Sequence, residues 1–212
     1  EEGNKTGVAV NDLPVPAENA QETDALMRRL CGKDAIPLRP RLPDESLTAG
    51  TNILSYAAQI ETAWAAAAGN RALIHQLAGF PEIADLSQAD PLDLNPYVLY
   101  PQSNSFRLLR DLVETYRAFV QLRLAQGRVT EAVDALVELH TFARKAIRYS
   151  RSLLRRMILI AILSNTLEVA HDAVQSGTLT PAELQKLQQA FPPLAQPDLS
   201  IRTSLLSDHI GM

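Results

Sequence analysis

Residues Ser103 to Gly177 are predicted to form three consecutive amphipathic helices, because apolar residues recur there every three or four positions. That spacing keeps one face of a 3.6-residue helix turned toward a core. On the first helix the inward positions are Phe106, Leu109, Val113, Tyr116, Val120 and Leu124. On the second they are Val133, Leu136, Val137, His140, Ala143 and Ile147. The fold class that follows is all-α.

The ends of these helices carry recognisable signals. Ser105 is predicted to cap the first helix, and Gly127 to end it. Thr130 is predicted to cap the second helix, and a turn this short makes the two helices antiparallel. Thr180 and Pro181 predict the start of a fourth helix.

The third helix begins near Ser152 and ends at Gly177. Its centre, Met157 to Leu163, is apolar on every side and is predicted to be the most buried segment of the chain. That run is too short to cross a membrane, so no transmembrane segment is predicted. The predicted inward face is Leu153, Met157, Ile160, Ser164, Leu167, His171 and Val174.

The turn between the first two helices has a family resemblance. The segment Leu122-x-Leu124-Ala125-x-Gly127-x-x-x-x-Ala132 resembles the helix-turn-helix of tetratricopeptide-type (TPR) repeats. It covers about one repeat and lacks the Trp and the closing Pro of that pattern. Similar helical stretches occur in bacterial envelope proteins. The resemblance implies antiparallel helical hairpins, as a TPR-like array or an irregular helix bundle.

The chain divides into an arm and a domain. Residues 1–46 are predicted to be an extended Pro-rich arm with one short helix from Glu18 to Leu30, followed by a helical domain over 47–212. In that domain a helix from Leu47 ends at Gly69, and Asn70 caps the next short helix. Trp64 is predicted to anchor this hairpin in the core.

A long non-helical connector is predicted at 79–104, where four prolines interrupt the helical period. Its apolar content predicts that it straps across the helices and lines a groove. The predicted groove residues are Tyr97, Tyr100, Tyr116 and His140. The antiparallel register places Tyr116 near His140 and predicts a hydrogen bond between them.

The net charge and the start of the sequence limit the partners and the cellular location that we expect. The net charge of −4 argues against nucleic-acid binding, since the phosphate backbone favours a basic surface. The chain starts at Glu1 without a preceding leader, which predicts a processed protein of the periplasm or envelope, with the cytoplasm as the alternative. Because Cys31 is the single cysteine, cysteine usage does not decide the compartment.

The sequence matches known catalytic and metal-binding motifs only in part. Glu168-x-x-His171 matches half of a carboxylate-bridged di-metal motif, but the second copy is missing. His140 is expected to lie roughly 16 Å from His171 along the helix pair, too far to share an ion. No metal, cofactor or catalytic residue is therefore predicted, and an enzyme of unrecognised type stays open as an alternative.

The most uneven charge pattern is a run without acids between Leu139 and Leu167. One interpretation is that its cations stabilise helix ends and balance acids elsewhere in the fold. The other is a site for an anionic ligand or partner, formed by Arg144, Arg148, Arg151, Arg155 and Arg156. We call these five arginines and Lys145 the basic cluster. The function predicted overall is a protein-interaction or scaffold module of the bacterial envelope, with a small-ligand or anion-binding protein as the alternative.

Overall fold

The computed structural model describes residues 19–31, 52–84, 99–150 and 153–194. The regular secondary structure within these ranges is helical. The all-α prediction is confirmed there. A 3-10 turn at Ile53–Tyr56 precedes α2. The α-helices of the described residues are α1 (Ala20–Cys31), α2 (Ala57–Ala66), α3 (Ala68–Gly79), α4 (Leu99–Ala125), α5 (Val129–Tyr149), α6 (Leu153–Gln175) and α7 (Pro181–Ala190).

Helix α5 lies at the centre of the fold, in contact with α3, α4, α6 and α7. Its neighbour α4 runs antiparallel to it, because Tyr116 of α4 contacts Glu138 while the later Arg123 contacts the earlier Glu131. Helix α7 runs parallel to α5, since its contacts advance from Thr130 with Glu183 to His140 with Phe191. A TPR-like repeat of these helices stays a prediction.

Gly127 ends α4 as predicted, with a φ of 72° in the left-handed region that favours glycine. The two predicted N-caps are wrong. Ser105 lies inside α4, which begins at Leu99. Thr130 lies inside α5, which begins at Val129, and its hydroxyl donates to Glu183 instead, at 2.7 Å. Thr180, by contrast, caps α7 together with Glu183 in a capping box, and Pro181 starts the helix as predicted.

The predicted non-helical connector is shorter than expected at both ends. Helix α3 continues through Gly79, and α4 begins at Leu99. Pro101 is tolerated because it lies in the first turn of α4, where backbone N–H groups have no partner within the helix. Residues 85–98, including Tyr97, lie outside the described residues, so the strap across the helices stays a prediction.

No helix end occurs at Gly69 or Asn70, contrary to prediction. Only Ala67 interrupts the helix, between α2 and α3, and Asn70 lies buried inside α3. The alanines around Gly69 favour helix and offset the cost of one glycine, which is about 1 kcal/mol. The chain does not reverse here: α2 packs on α4, and α3 continues in the same direction along α5.

Aromatic stacking joins α2 to α4. Trp64 stacks on Phe119 with ring centroids 3.7 Å apart, and meets Tyr116 edge-on at 4.9 Å. The guanidinium of Arg71 lies over the Trp64 ring at 4.1 Å. Trp64 is half-buried and packs against the core as predicted, but the hairpin that it was predicted to anchor does not form, because α3 continues in the direction of α2.

A buried arginine reinforces the same junction. Arg123 donates to both carboxylate oxygens of Glu61 on α2 and to Glu131 on α5. The hydrogen bonds from Arg123, and then its charge, lower the pKa of Glu61. The planar guanidinium of Arg123 on α4 therefore links α2 and α5 to α4, because it donates several hydrogen bonds at once.

Helix α1 packs on α3 and α4. Its buried residues Leu26, Met27 and Leu30 belong to the same core as α4 and α5. Cys31 is buried at the end of α1 and donates to Met27 O at 3.1 Å, as expected of a structural cysteine. Helix α1 is therefore part of the core that the described residues form.

The predicted inward face of α6 is wrong: it is the face that points outward. Met157, Ile160, Leu167 and Val174 are 57%, 38%, 46% and 47% exposed. Because the centre of α6 is apolar on every side, hydrophobic periodicity alone does not distinguish its two faces. The residues that face the core are Arg156, Leu159, Ile162, Leu163, Thr166, Val169, Ala170 and Ala173.

Two isoleucines two positions apart test this orientation. We expect Ile162→Ala to lower the free energy of unfolding by about 2 to 5 kcal/mol, because Ile162 is buried and its truncation leaves a cavity. Ile160→Ala removes the same atoms from a partly exposed position and is expected to cost less than about 1 kcal/mol. Urea unfolding at a protein concentration that keeps the chain monomeric measures both. Equal losses would contradict the orientation of α6.

Candidate functional site

The structure separates the members of the basic cluster. Arg144, Lys145 and Arg148 lie on one side of α5 together with Thr141 and Tyr149, since these positions recur every three or four residues. Arg155 and Arg156 belong to α6 instead, where Arg155 is half-buried and Arg156 is buried. Arg151 lies outside the described residues.

A cleft of about 270 Å³ opens beside this side of α5. The segment after α3 forms one wall and the end of α7 forms another. We call it the basic cleft. Its lining is Pro81, Glu82, Thr141, Arg144, Lys145, Arg148, Tyr149, Gln189, Ala190 and Pro192.

Lys145 completes the C-terminal end of α3. Its Nζ donates to the carbonyl oxygens of Ala78 and Phe80, each at 2.6 Å. The last carbonyls of a helix have no partner within the helix, and the helix dipole favours a cation there. Burial lowers the pKa of Lys145, since a partly desolvated ammonium is harder to keep charged.

The two arginines of the cleft have different partners. Arg144 donates to the carbonyl oxygens of Pro192 and, at 2.8 Å, Pro193, so it holds the segment after α7. Arg148 is 45% exposed, and its Nη1 lies 3.7 Å from the carboxylate of Glu82. Tyr149 donates to the same carboxylate at 2.7 Å, and burial together with that hydrogen bond raises the pKa of Tyr149.

Arg156 joins α6 to the end of α5. Its Nη1 donates to Ile147 O at 2.9 Å, in the last turn of α5. The buried arginine therefore satisfies a helix-end carbonyl, as Lys145 does for α3. Sequence position alone gives no sign of this, because the partner is fixed by the packing of α6 on α5.

His140 and Tyr116, both predicted to line a groove, are buried in the core. The predicted hydrogen bond between them is wrong. Tyr116 donates to Glu138 at 2.8 Å, whereas His140 Nδ1 lies 2.8 Å from Thr166 Oγ1 on α6. Positions 138 and 140 are about 200° apart around α5, so they face different helices. Tyr100 lies in the first turn of α4.

The His140 ring is held neutral. The Thr166 hydroxyl donates to Leu163 O at 2.9 Å, so its oxygen accepts from His140 Nδ1–H, and His140 Nε2 is buried without a partner. The ring stacks on Phe191 with centroids 3.8 Å apart. Burial first, and the nearby Arg144 second, lower the pKa of His140 to about 4.

The histidines do not form a metal site in the described part of the chain. His171 is exposed on α6, 3.5 Å from the carboxylate of its neighbour Asp172, while His140 is buried against α6 and α7. No group of three or more His, Cys, Asp or Glu that could hold a metal ion occurs among the described residues.

An apolar stripe runs along the exposed side of α6, and sequence reasoning placed it inside. We define the α6 face as Met157, Ile160, Ser164, Leu167, His171 and Val174, spaced alternately three and four residues apart. Four of the six are large apolar residues that no other described element covers. One sequence signal could have indicated the side of α6 that faces the core: Thr166 is a polar residue that lies off this stripe and pairs with buried His140.

Helix α6 is also the one described helix that is long and apolar enough to cross a membrane, over Arg155 to Gln175. One such helix is weak support for a span, because the core helix of a soluble protein meets the same criteria. Here 39% of that segment is buried inside the fold. The helix packs against both α4 and α5.

The neutral state of His140 makes stability depend on pH. Its pKa is about 4 in the folded chain and 6.5 in the unfolded chain, so the unfolded chain binds more protons between these values. The contribution is fully present above pH 6.5 and is lost as the pH falls toward 4, by about 3 kcal/mol. We expect His140→Gln to have a flatter dependence of unfolding free energy on pH over this range. An identical slope in the variant would contradict the buried neutral imidazole.

Comparisons of the chain with protein-family models, curated proteins and solved structures found no match. The TPR-like resemblance and the envelope location therefore stay predictions. In the described part of the chain, the α6 face and the basic cleft are the two surfaces that bear on its function.

Proposed function

We propose that the chain is a protein-interaction module in which the α6 face docks on the same face of a second copy. The observation that carries this proposal is the exposed, aligned stripe of Met157, Ile160, Leu167 and Val174. Single exposed apolar residues are ordinary on protein surfaces, whereas an aligned set on one helix is typical of an interaction site. The opposite side of α6 is already occupied by the core.

The spacing of the α6 face favours a second copy as the partner. The intervals along it are three, four, three, four and three residues, which read the same in both directions. An antiparallel pair therefore sets Met157 opposite Val174, and Ile160 opposite His171. A two-fold symmetric interface requires this self-complementarity, in which each residue's partner makes the reciprocal contact.

The charges on α6 favour the antiparallel direction. Exposed Glu168 and Asp172 lie in its C-terminal half, and Arg155 lies near its start. Antiparallel pairing brings the acids of one copy toward the arginine end of the other, whereas parallel pairing would set acids beside acids. Ser164, the small residue near the middle of the stripe, allows the two helices to approach closely.

A lipid surface fits the α6 face less well than a second copy does. Helices that lie on membranes carry lysines and arginines along their polar side. Along the C-terminal half of α6 the exposed charged residues are Glu168 and Asp172, which an anionic lipid surface would repel.

Two leucines of similar exposure provide the test. Leu167 on the α6 face is 46% exposed and Leu184 on α7 is 41% exposed. We expect the wild type to dimerise in sedimentation equilibrium. Leu167→Glu should weaken dimerisation roughly tenfold or more, because it places a charge in the apolar contact. Leu184→Glu should dimerise like the wild type.

Several outcomes would contradict the proposal. A wild type that stays monomeric at about 100 µM would do so, as would equal weakening by both substitutions. Binding of the wild type to lipid vesicles that Leu167→Glu abolishes would make a membrane the occupant instead of a second copy. Circular dichroism of both variants checks that the helices are intact.

A further inference from the structure

Met157 is the most exposed large apolar residue in the described part of the chain, at 57%. The other methionine that the structure describes, Met27, is fully buried in the core. A methionine is oxidised only when the oxidant reaches its thioether sulfur, and the product is methionine sulfoxide. An oxidant in solution therefore reaches Met157 before it reaches Met27.

Met157 also lies at one end of the α6 face, and Val174 lies at the other end. The antiparallel pairing proposed above sets Met157 of each copy opposite Val174 of the other, so the dimer contains this contact twice. The two-fold axis repeats any chemical change at Met157 at both ends of the interface. The flexible, apolar side chain of methionine suits such a contact only while its sulfur is unoxidised.

Hydrogen peroxide carries out this oxidation without a further reactant. The thioether sulfur attacks one peroxide oxygen, the O–O bond breaks as the S–O bond forms, and the other oxygen takes up the proton and leaves as water. Sulfur loses the two electrons that the peroxide gains. The sulfoxide oxygen is a polar acceptor, and burying it opposite Val174 is costly because an aliphatic side chain offers no donor.

We propose that Met157 is a peroxide-sensitive modification site that controls self-association through the α6 face. This inference rests on the dimer proposed above. The monomer exposes the thioether to the oxidant, whereas the dimer covers it. Because oxidised chains pair less tightly, peroxide shifts the population toward monomers, and by the same linkage the dimer protects Met157 from oxidation.

Sedimentation equilibrium before and after treatment with hydrogen peroxide tests the proposal, and mass spectrometry of proteolytic peptides locates the added oxygen. We expect oxidation of Met157 while Met27 is unchanged. Dimerisation should weaken roughly tenfold or more once Met157 is oxidised in every chain, because each dimer then buries two sulfoxides. Oxidation of Met157 should also be slower at protein concentrations at which the chain is dimeric.

Met157→Leu is the matched control, since leucine is apolar and of similar volume but has no sulfur to oxidise. This variant keeps Met27, Cys31 and Met212, so it reveals any effect of peroxide at those residues. We expect it to dimerise like the wild type both before and after treatment. Met157→Gln places a polar amide in the same contact without an oxidant and should weaken dimerisation severalfold.

A wild type that dimerises equally well with Met157 as the sulfoxide overturns this inference and leaves the dimer itself intact. Equal weakening of the wild type and Met157→Leu by peroxide also overturns it, because another residue is then responsible. The same holds if Met157 is oxidised at one rate in monomer and dimer, or if circular dichroism shows that oxidation unfolds the helices. An untreated wild type that stays monomeric overturns both the dimer and its control by Met157.

Discussion

The rotation of α6 about its own axis determines which surface this chain presents, and two polar contacts with α5 set that rotation. Thr166 pairs with the buried His140, and Arg156 donates to Ile147 O at the end of α5. Buried polar groups without partners are costly, so either contact strongly disfavours a rotated helix. With both contacts satisfied, Met157, Ile160, Leu167 and Val174 are left on the outside.

Cationic side chains stabilise helix ends at several places in the fold, and the same charges create the basic cleft. Lys145 serves α3, Arg156 serves α5, and Arg144 serves the segment after α7. In each case the side chain donates to a backbone carbonyl oxygen, and the helix dipole favours a cation at a helix C-terminus. Lys145, Arg144 and Arg148 all line the same cleft. The contacts of Lys145, Arg144 and Arg156 agree with the first interpretation of the basic cluster, and the site for an anionic ligand or partner stays a prediction.

The helices and helix ends that could be predicted from the sequence are those whose signal comes from residues close to one another in the chain. The period of three and four residues in α4 and α5, the glycine at the end of α4 and the proline at the start of α7 all depend on neighbours within a few positions. Pro101 misled the prediction of the start of α4, because a proline in the first turn resembles a proline in a loop.

The candidate surfaces were harder to predict because they depend on distant parts of the chain. Helix α6 is apolar on all sides over Met157 to Leu163, so its orientation is decided by His140 on another helix. The carbonyl that Lys145 caps at Ala78 is 67 residues away in sequence. The absence of acids nearby did indicate Arg144 and Arg148, but not the role of Lys145 or the wall formed by Glu82.

Antiparallel pairing through α6 is tested most directly by a distance between two copies. Gln175 lies exposed at the end of α6, and a spin label on Gln175→Cys, with the buried Cys31 replaced by Ala, reports it by pulsed electron resonance. Antiparallel pairing predicts about 30 Å between the labels, since some nineteen residues separate them along the pair at ~1.5 Å each. A distance near 10 Å, typical of parallel neighbouring helices, or no defined distance at a concentration where the chain self-associates, would contradict the account.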